Sequence, residues 1–188
     1  MPVKITIPPT VLAVSLADAK SQLNIEQAYV ADDTLITSII KAATELVQNE
    51  MQTQLMDATL VLSTECFKRT ISLQKNPVTG ITKVEYYDVN GALQPVNAAN
   101  YWLISEDKPC MVEFDSDFNF PSVDDRKYPV IITYQAGYAT AVEVPFMVVA
   151  AIKLKITDLY EHRGELENGT ISEIASFKSL VQTEANWI

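Results

Sequence analysis

The sequence predicts an α+β fold: a helical core module, built from a long N-terminal helix and a C-terminal helix, with an inserted antiparallel β-sheet or small sandwich. Three observations predict it. Apolar residues recur at helical spacing in 15–55 and again in 144–163, and the stretch between them changes to period two with β-branched and aromatic residues. Turn residues within that stretch fall at hairpin intervals, which favours antiparallel pairing. The implied division is an extended N-terminal arm at 1–14, a helical module from 15–57 and 144–180, a β insertion at 58–143 and a C-terminal tail at 181–188.

Residues 1–14 contain Pro2, Pro8 and Pro9 among alternating apolar positions, which suits an extended arm or an edge strand. Ser15-Leu16-Ala17-Asp18 has the form of a capping box, with the Ser15 hydroxyl and the Asp18 carboxylate placed to satisfy free N–H groups of a short helix ending near Leu23. Asp32-Asp33 supplies the next N-cap and a negative charge where the helix dipole is positive. Leu35, Ile36, Ile39, Ile40, Ala43, Leu46, Val47, Met51 and Leu55 then predict one long amphipathic helix, with Lys41, Thr44, Gln48 and Gln52 on its wet side. Over 34–55 it would be about 33 Å long and would need a partner surface.

Period-two runs predict strands at 58–64, 66–73, 81–87, 100–104, 110–114 and 130–135. Asn76-Pro77-Val78-Thr79-Gly80 separates the second from the third, and Asp88-Val89-Asn90-Gly91 supplies a hairpin turn into Ala92-Leu93. Pro145 is expected at the first position of the last long helix, with Phe146, Val149, Ala150, Ile152, Ile156, Leu159 and Tyr160 buried and Gly164 ending it. Residues 172–180 are expected to form a further short helix.

A chain of 188 residues buries roughly two-thirds of its unfolded surface, so a self-sufficient core is expected. The 14 basic and 24 acidic residues leave a formal charge of −10, which argues against tight nucleic-acid binding. Cys66 and Cys110 make neither a CxxC pair nor a disulfide framework and are expected reduced and half-buried in strands. The N-terminus lacks a signal peptide's apolar core, and the longest apolar run, 144–152, is too short to span a bilayer, so a soluble, cytosolic protein without a membrane partner is expected.

Chemistry is thinly represented. His162 is the single histidine, and its place beside Glu161, Arg163 and Glu165 at a helix end suits capping or surface pairing better than catalysis. Asp115-Ser116-Asp117-Phe118-Asn119 begins like a calcium loop, but Phe120 and Arg126 stand where glycine and glutamate are needed, leaving a solvated acidic loop as the better reading. No Gly-x-Ser-x-Gly elbow and no phosphate-cradling glycine loop is present. The expectation is a protein that is not an enzyme and needs no cofactor or metal.

One set of landmarks points further. Residues 14–23, then Asp32-Asp33-Thr34-Leu35-Ile36 leading a long helix, resemble the opening of the tailed-phage head-tail connector (adaptor or head-completion) proteins, of the type with a β insertion. Residues 84–91, Tyr134-Gln135-Ala136-Gly137-Tyr138, Val144-Pro145 and Leu159-Tyr160-Glu161-His162-Arg163 resemble that family's hairpin, its Ala-Gly-Tyr turn and its last helix, in the same order. The resemblance spans roughly residues 12–180. It implies a non-enzymatic subunit of a ring of about twelve copies in the virion neck, assembled in the bacterial host cytoplasm and possible as a monomer in isolation. Its implied partners are the portal protein above and a tail or stopper protein below, with DNA passing through the ring and held by none of it. The same resemblance implies that the C-terminal segment docks into the portal through Phe177, Leu180, Val181, Trp187 and Ile188, although Glu184 stands where many relatives carry a basic residue. The alternative to portal docking is that these apolar residues pack on their own domain.

Two other readings compete with the connector. One is a non-enzymatic β module on a helical stalk that binds protein or carbohydrate through Tyr86, Tyr87, Tyr101 and Trp102, residues that serve equally as strand core. The other is a metal-dependent hydrolase using Asp115, Asp117, Asp124 or Asp125.

Overall fold

The computed structural model describes residues 1–162, and it divides them into two compact units, one of strands from 1–9 and 57–137 and one of helices from 10–56 and 138–162. In chain order the elements are β1 (Val3–Ile7), α1 (Leu16–Gln22), α2 (Asp33–Met51), β2 (Ala58–Thr64), β3 (Thr70–Ser72), β4 (Val78–Tyr87), β5 (Leu93–Pro95), β6 (Tyr101–Ile104), β7 (Met111–Phe114), β8 (Val130–Ala136) and α3 (Phe146–Glu161). The class is α+β, as the two sequence periods require.

In the strand unit, five strands pair in the order β1-β2-β8-β4-β5 and three in the order β3-β7-β6, every pair antiparallel. β2 alternates between buried and half-buried positions along its whole length, and it registers on β8 with Leu60 opposite Tyr134 and Leu62 opposite Ile132. A one-residue slip would turn this apolar set to water, so the pattern itself fixes the register. The inward residues of both sheets join one core: Leu60, Leu62, Val84, Ile132 and Tyr134 from the larger sheet, Ile71, Val112 and Phe114 from the smaller. The proline-bearing start of the chain forms β1 at the edge of the larger sheet, where a missing N–H donor costs least.

The hairpin from β4 to β5 closes over 88–92. Asp88 accepts the backbone N–H groups of Asn90 (2.9 Å) and Ala92 (3.1 Å) on one carboxylate oxygen and the Gln94 amide (2.9 Å) on the other. Gly91 sits at φ +77°, a conformation that a side chain would strain. These hydrogen bonds, led by that of Gln94, hold the Asp88 carboxyl below its ordinary value. The expected strand at 66–73 is reduced to Thr70–Ser72 because Phe67 leaves the ladder to enter a cluster of rings with Tyr86, Phe114, Phe118 and Phe120. The cysteines differ from expectation too: both are free, but Cys66 is exposed outside any strand and Cys110 is fully buried just ahead of β7.

In the helical unit, Ile36, Ile40 and Val47 of α2 meet Val148, Ile152 and Ile156 of α3, with Ala13, Val14, Ala19, Leu55 and Met56 closing the core. Each of the Val, Leu, Ile and Met side chains among them contributes about 1.5–3 kcal/mol on burial. Ser15 caps α1 by accepting the Asp18 N–H at 3.0 Å. The Asp18 carboxylate does not return the favour to the backbone; it accepts the Ser15 hydroxyl at 2.6 Å. Asp32 likewise makes no cap with its side chain, which accepts the Tyr160 hydroxyl at 2.8 Å instead, while Asp33 pairs with buried Lys20. Lys20 also donates to the carbonyls of Gln27 and Tyr29, so one ammonium organises the connection between α1 and α2.

α2 stops at Met51, earlier than the expected end at Leu55. Gln52 adopts a left-handed conformation (φ +53°), Thr53 N–H bonds back to the Gln48 carbonyl, and the Gln48 side chain accepts the Leu55 N–H, so Leu55 is buried beyond the helix rather than on it. α3 begins at Phe146, with Pro145 as the cap rather than the first helical residue. Its buried face is Val148, Ala151, Ile152 and Ile156, whereas Phe146 and Ala150, expected inside, are exposed. Its first seven residues, Phe146–Ile152, are all apolar, so spacing alone leaves the rotation of its first two turns open. No helix among the described residues is long and apolar enough to cross a membrane.

Candidate docking surface

The five residues expected at a portal contact, Phe177, Leu180, Val181, Trp187 and Ile188, lie outside the described residues, as do Gly164 and the short helix at 172–180. His162 is the C-cap of α3, with Nδ1 3.0 Å from the Asp158 carbonyl and 3.3 Å from its carboxylate. That geometry is helix-end pairing.

The acidic loop is held by its own backbone and by rings. Asp115 accepts the Asp117 N–H at 2.8 Å, and its carbonyl accepts from the Arg69 guanidinium. Phe118 and Phe120 pack into the ring cluster on Phe114 and Phe67. Farther along, Arg126 donates to Asp124 at 3.1 Å and lies 3.5 Å over the Tyr87 ring. Its hydrogen bond holds the Asp124 carboxyl below the ordinary value and raises the guanidinium's own. Among the described residues no three His, Cys, Asp or Glu side chains gather to hold a metal ion. The aromatic quartet does not form one contact face either: Tyr86 and Tyr101 pack against the core, Tyr87 lies under Arg126, and Trp102 is exposed with its indole N–H on Glu113 at 3.1 Å.

Both units expose apolar side chains, and on the helical unit the two most exposed of them lie close together in sequence at the head of α3. Glu143 accepts the N–H groups of Ala139 (3.0 Å) and Thr140 (3.3 Å), tying down a single 3-10 turn at Ala141–Glu143. That turn holds Val142 outward, and Phe146 follows one residue past Pro145; each is 89 % exposed. Met147 continues the patch, and a groove of about 610 Å³ runs beside it between Val11, Leu12 and Val14 on one wall and Val142, Val144 and Phe146 on the other. Pro145, the N-cap of α3, has no side-chain cap to offer its first N–H groups. A second patch lies on α2, where Leu35, Ala42 and Leu46 are exposed, with exposed Glu45 and Glu50 beside them. Leu35, Leu46 and Phe146, counted by spacing among the apolar faces of their helices, are exposed because the helices are rotated to turn them outward.

Residues 13–88, from the lead into α1 through α2 and on to the hairpin at the end of β4, match the family of phage gp6-like head-tail connector proteins. The resemblance is to head-tail connectors. The fold is shared with solved structures along the whole chain. A chain in the neck of an empty gene transfer agent (GTA) particle computed with C6 symmetry superposes with a TM-score of 0.83 at 18% identity, covering 100% of this chain and 97% of that one. A chain of the virion of the native gene transfer agent particle gives 0.81 at 18% identity, and one from the neck of the native particle computed with C12 symmetry gives 0.76 at 17%, with the same coverage. At these identities the likeness is one of fold. No curated protein matches the sequence.

Proposed function

We propose that the chain is a structural head-tail connector, or adaptor, subunit of a phage or prophage virion neck, forming a ring beneath the portal and presenting a docking surface to the tail or stopper protein. The family match over 13–88 carries this reading, because it falls on the same helix-to-hairpin stretch that builds parts of both units. The cyclic symmetry named for two of the structurally similar necks supports the ring. The helical unit serves as the connector module, and the tail, through Phe177, Leu180, Val181, Trp187 and Ile188, docks into the portal. A net charge of −10 suits a lumen through which DNA moves without sticking. Such a part works by geometry and needs no catalytic centre.

The test is assembly on a portal. Purified full-length chain is added to heads that carry portal but lack connector, and the product is imaged by electron microscopy. A ring of this chain under the portal is the expected result; heads whose portal face stays bare at micromolar chain overturn the reading.

A further inference from the structure

A cyclic ring is built from a heterologous contact: the patch that one subunit offers must differ from the patch that its neighbour receives. The helical unit carries two such patches. The first is Val142, Phe146 and Met147 at the head of α3, two of them 89 % exposed, beside the 610 Å³ groove. The second is Leu35, Ala42 and Leu46 on α2. At ~100° per residue these three fall on one stripe, with Glu45 on one side of it and Glu50 on the other.

Charge complements shape here. Among the described residues, the start of α3 has no cap from its N-cap residue Pro145 and no acidic residue in its first turn, so its first N–H groups form the positive end of a 16-residue helix among apolar side chains. The α2 stripe has an apolar centre, with exposed Ser38, Asn49 and Glu45 on one side and Glu50 on the other. Each patch supplies what the other lacks, and each faces away from the core that α2 and α3 share.

We propose that the head of α3 in one subunit docks on the α2 stripe of a second copy of this chain, with Phe146 and Val142 against Leu35, Ala42 and Leu46, and Glu45 or Glu50 capping the α3 N-terminus. The inference rests on the ring reading and names the surfaces that close the ring.

Placing p-benzoylphenylalanine at position 146 of the full-length chain tests it. Equal amounts of ordinary and 15N-labelled chain are mixed at high concentration, irradiated and mapped by mass spectrometry. Cross-links from position 146 of one isotopic form to residues 35–50 of the other are expected. Leu46→Asp, a change at an exposed position, is expected to weaken self-association at least tenfold with an unchanged circular dichroism spectrum. Cross-links within one chain to residues 163–188 would make the chain's own C-terminal segment the occupant and overturn the proposal. Cross-links to another surface of the neighbour, rings indifferent to Leu46→Asp, or a chain that cross-links between copies neither free at high concentration nor on portal-bearing heads would also overturn it. In those cases the ring reading stands or falls separately, on the imaging of portal-bearing heads.

Discussion

Tyr134 shows how a single residue ties a strand into its core. Its ring is fully buried in the larger sheet and its hydroxyl donates to the Gln74 carbonyl at 2.8 Å. Burial raises the phenol's pKa well above its ordinary value. The folded pKa is therefore above the unfolded one, so the contribution is fully present below pH about 10 and is lost as pH rises beyond it, when the unfolded chain releases a proton that the folded chain keeps. Tyr134→Phe is expected to cost about 1 kcal/mol at neutral pH through the lost hydrogen bond. The wild type should then lose about 2 kcal/mol more than the variant by pH ~11.5, so urea-melt stabilities measured at both pH values should reverse their order. A variant that stays less stable at both would show that the phenol is not what limits alkaline stability. Lys20 is the counterpart in the helical unit, buried against Asp33 and two carbonyls. Lys20→Met keeps the apolar stem but strands the half-buried Asp33 carboxylate and two acceptors. A loss of about 2 kcal/mol is expected in urea melts, with faster hydrogen exchange confined to residues 24–32 as the sign that the connection, rather than the core, has loosened.

At the scale of elements, the hairpin between β4 and β5 gives the clearest pH dependence. The folded Asp88 pKa is lowered by its three hydrogen bonds. Its contribution is thus present above the unfolded carboxyl value of about 3.9 and is lost as pH falls through the folded one. Asp88→Ala is expected to destabilise at pH 7 and to flatten the acid limb of the stability curve below pH about 4; Asp88→Asn, which keeps one acceptor oxygen, should fall between. An acid limb unchanged in Asp88→Ala would assign that limb to other carboxylates. This hairpin was legible from residues 88–91 because turn chemistry is local. So was β2, whose alternation admits one register, and so was α2, whose stripe runs over five turns. Helix ends and rotations were less legible. Gln52 takes a left-handed conformation that sequence assigns to glycine or asparagine, and the capping carboxylates of Asp18 and Asp32 were drawn away by Ser15 and Tyr160, one a neighbour and the other distant in sequence. The wholly apolar first two turns of α3 hid Phe146, and with it the proposed docking patch. The ring cluster was hidden as well, because Phe118 and Phe120 lie within a run whose aspartates resembled the start of a cation loop.

For the whole molecule, the question is what the last residues do for assembly. Trp187 and Ile188 end a chain whose described units already carry separate apolar cores, one of helices and one of strands. The connector reading proposes an external partner for these two large apolar side chains. Removing residues 182–188 is therefore expected to leave the melting temperature within about 2 °C, since a loss of ~1 kcal/mol in a chain of this size already shifts it by about 2–4 °C. The same truncation should abolish stable joining to portal-bearing heads while leaving the proposed α2–α3 contact between copies intact, since neither patch includes the deleted residues. A truncated chain that joins heads normally removes these residues from the portal contact. One that melts several degrees lower and fails to join places them within its own fold, and the intersubunit cross-link from position 146 then decides whether ring closure survives without the tail.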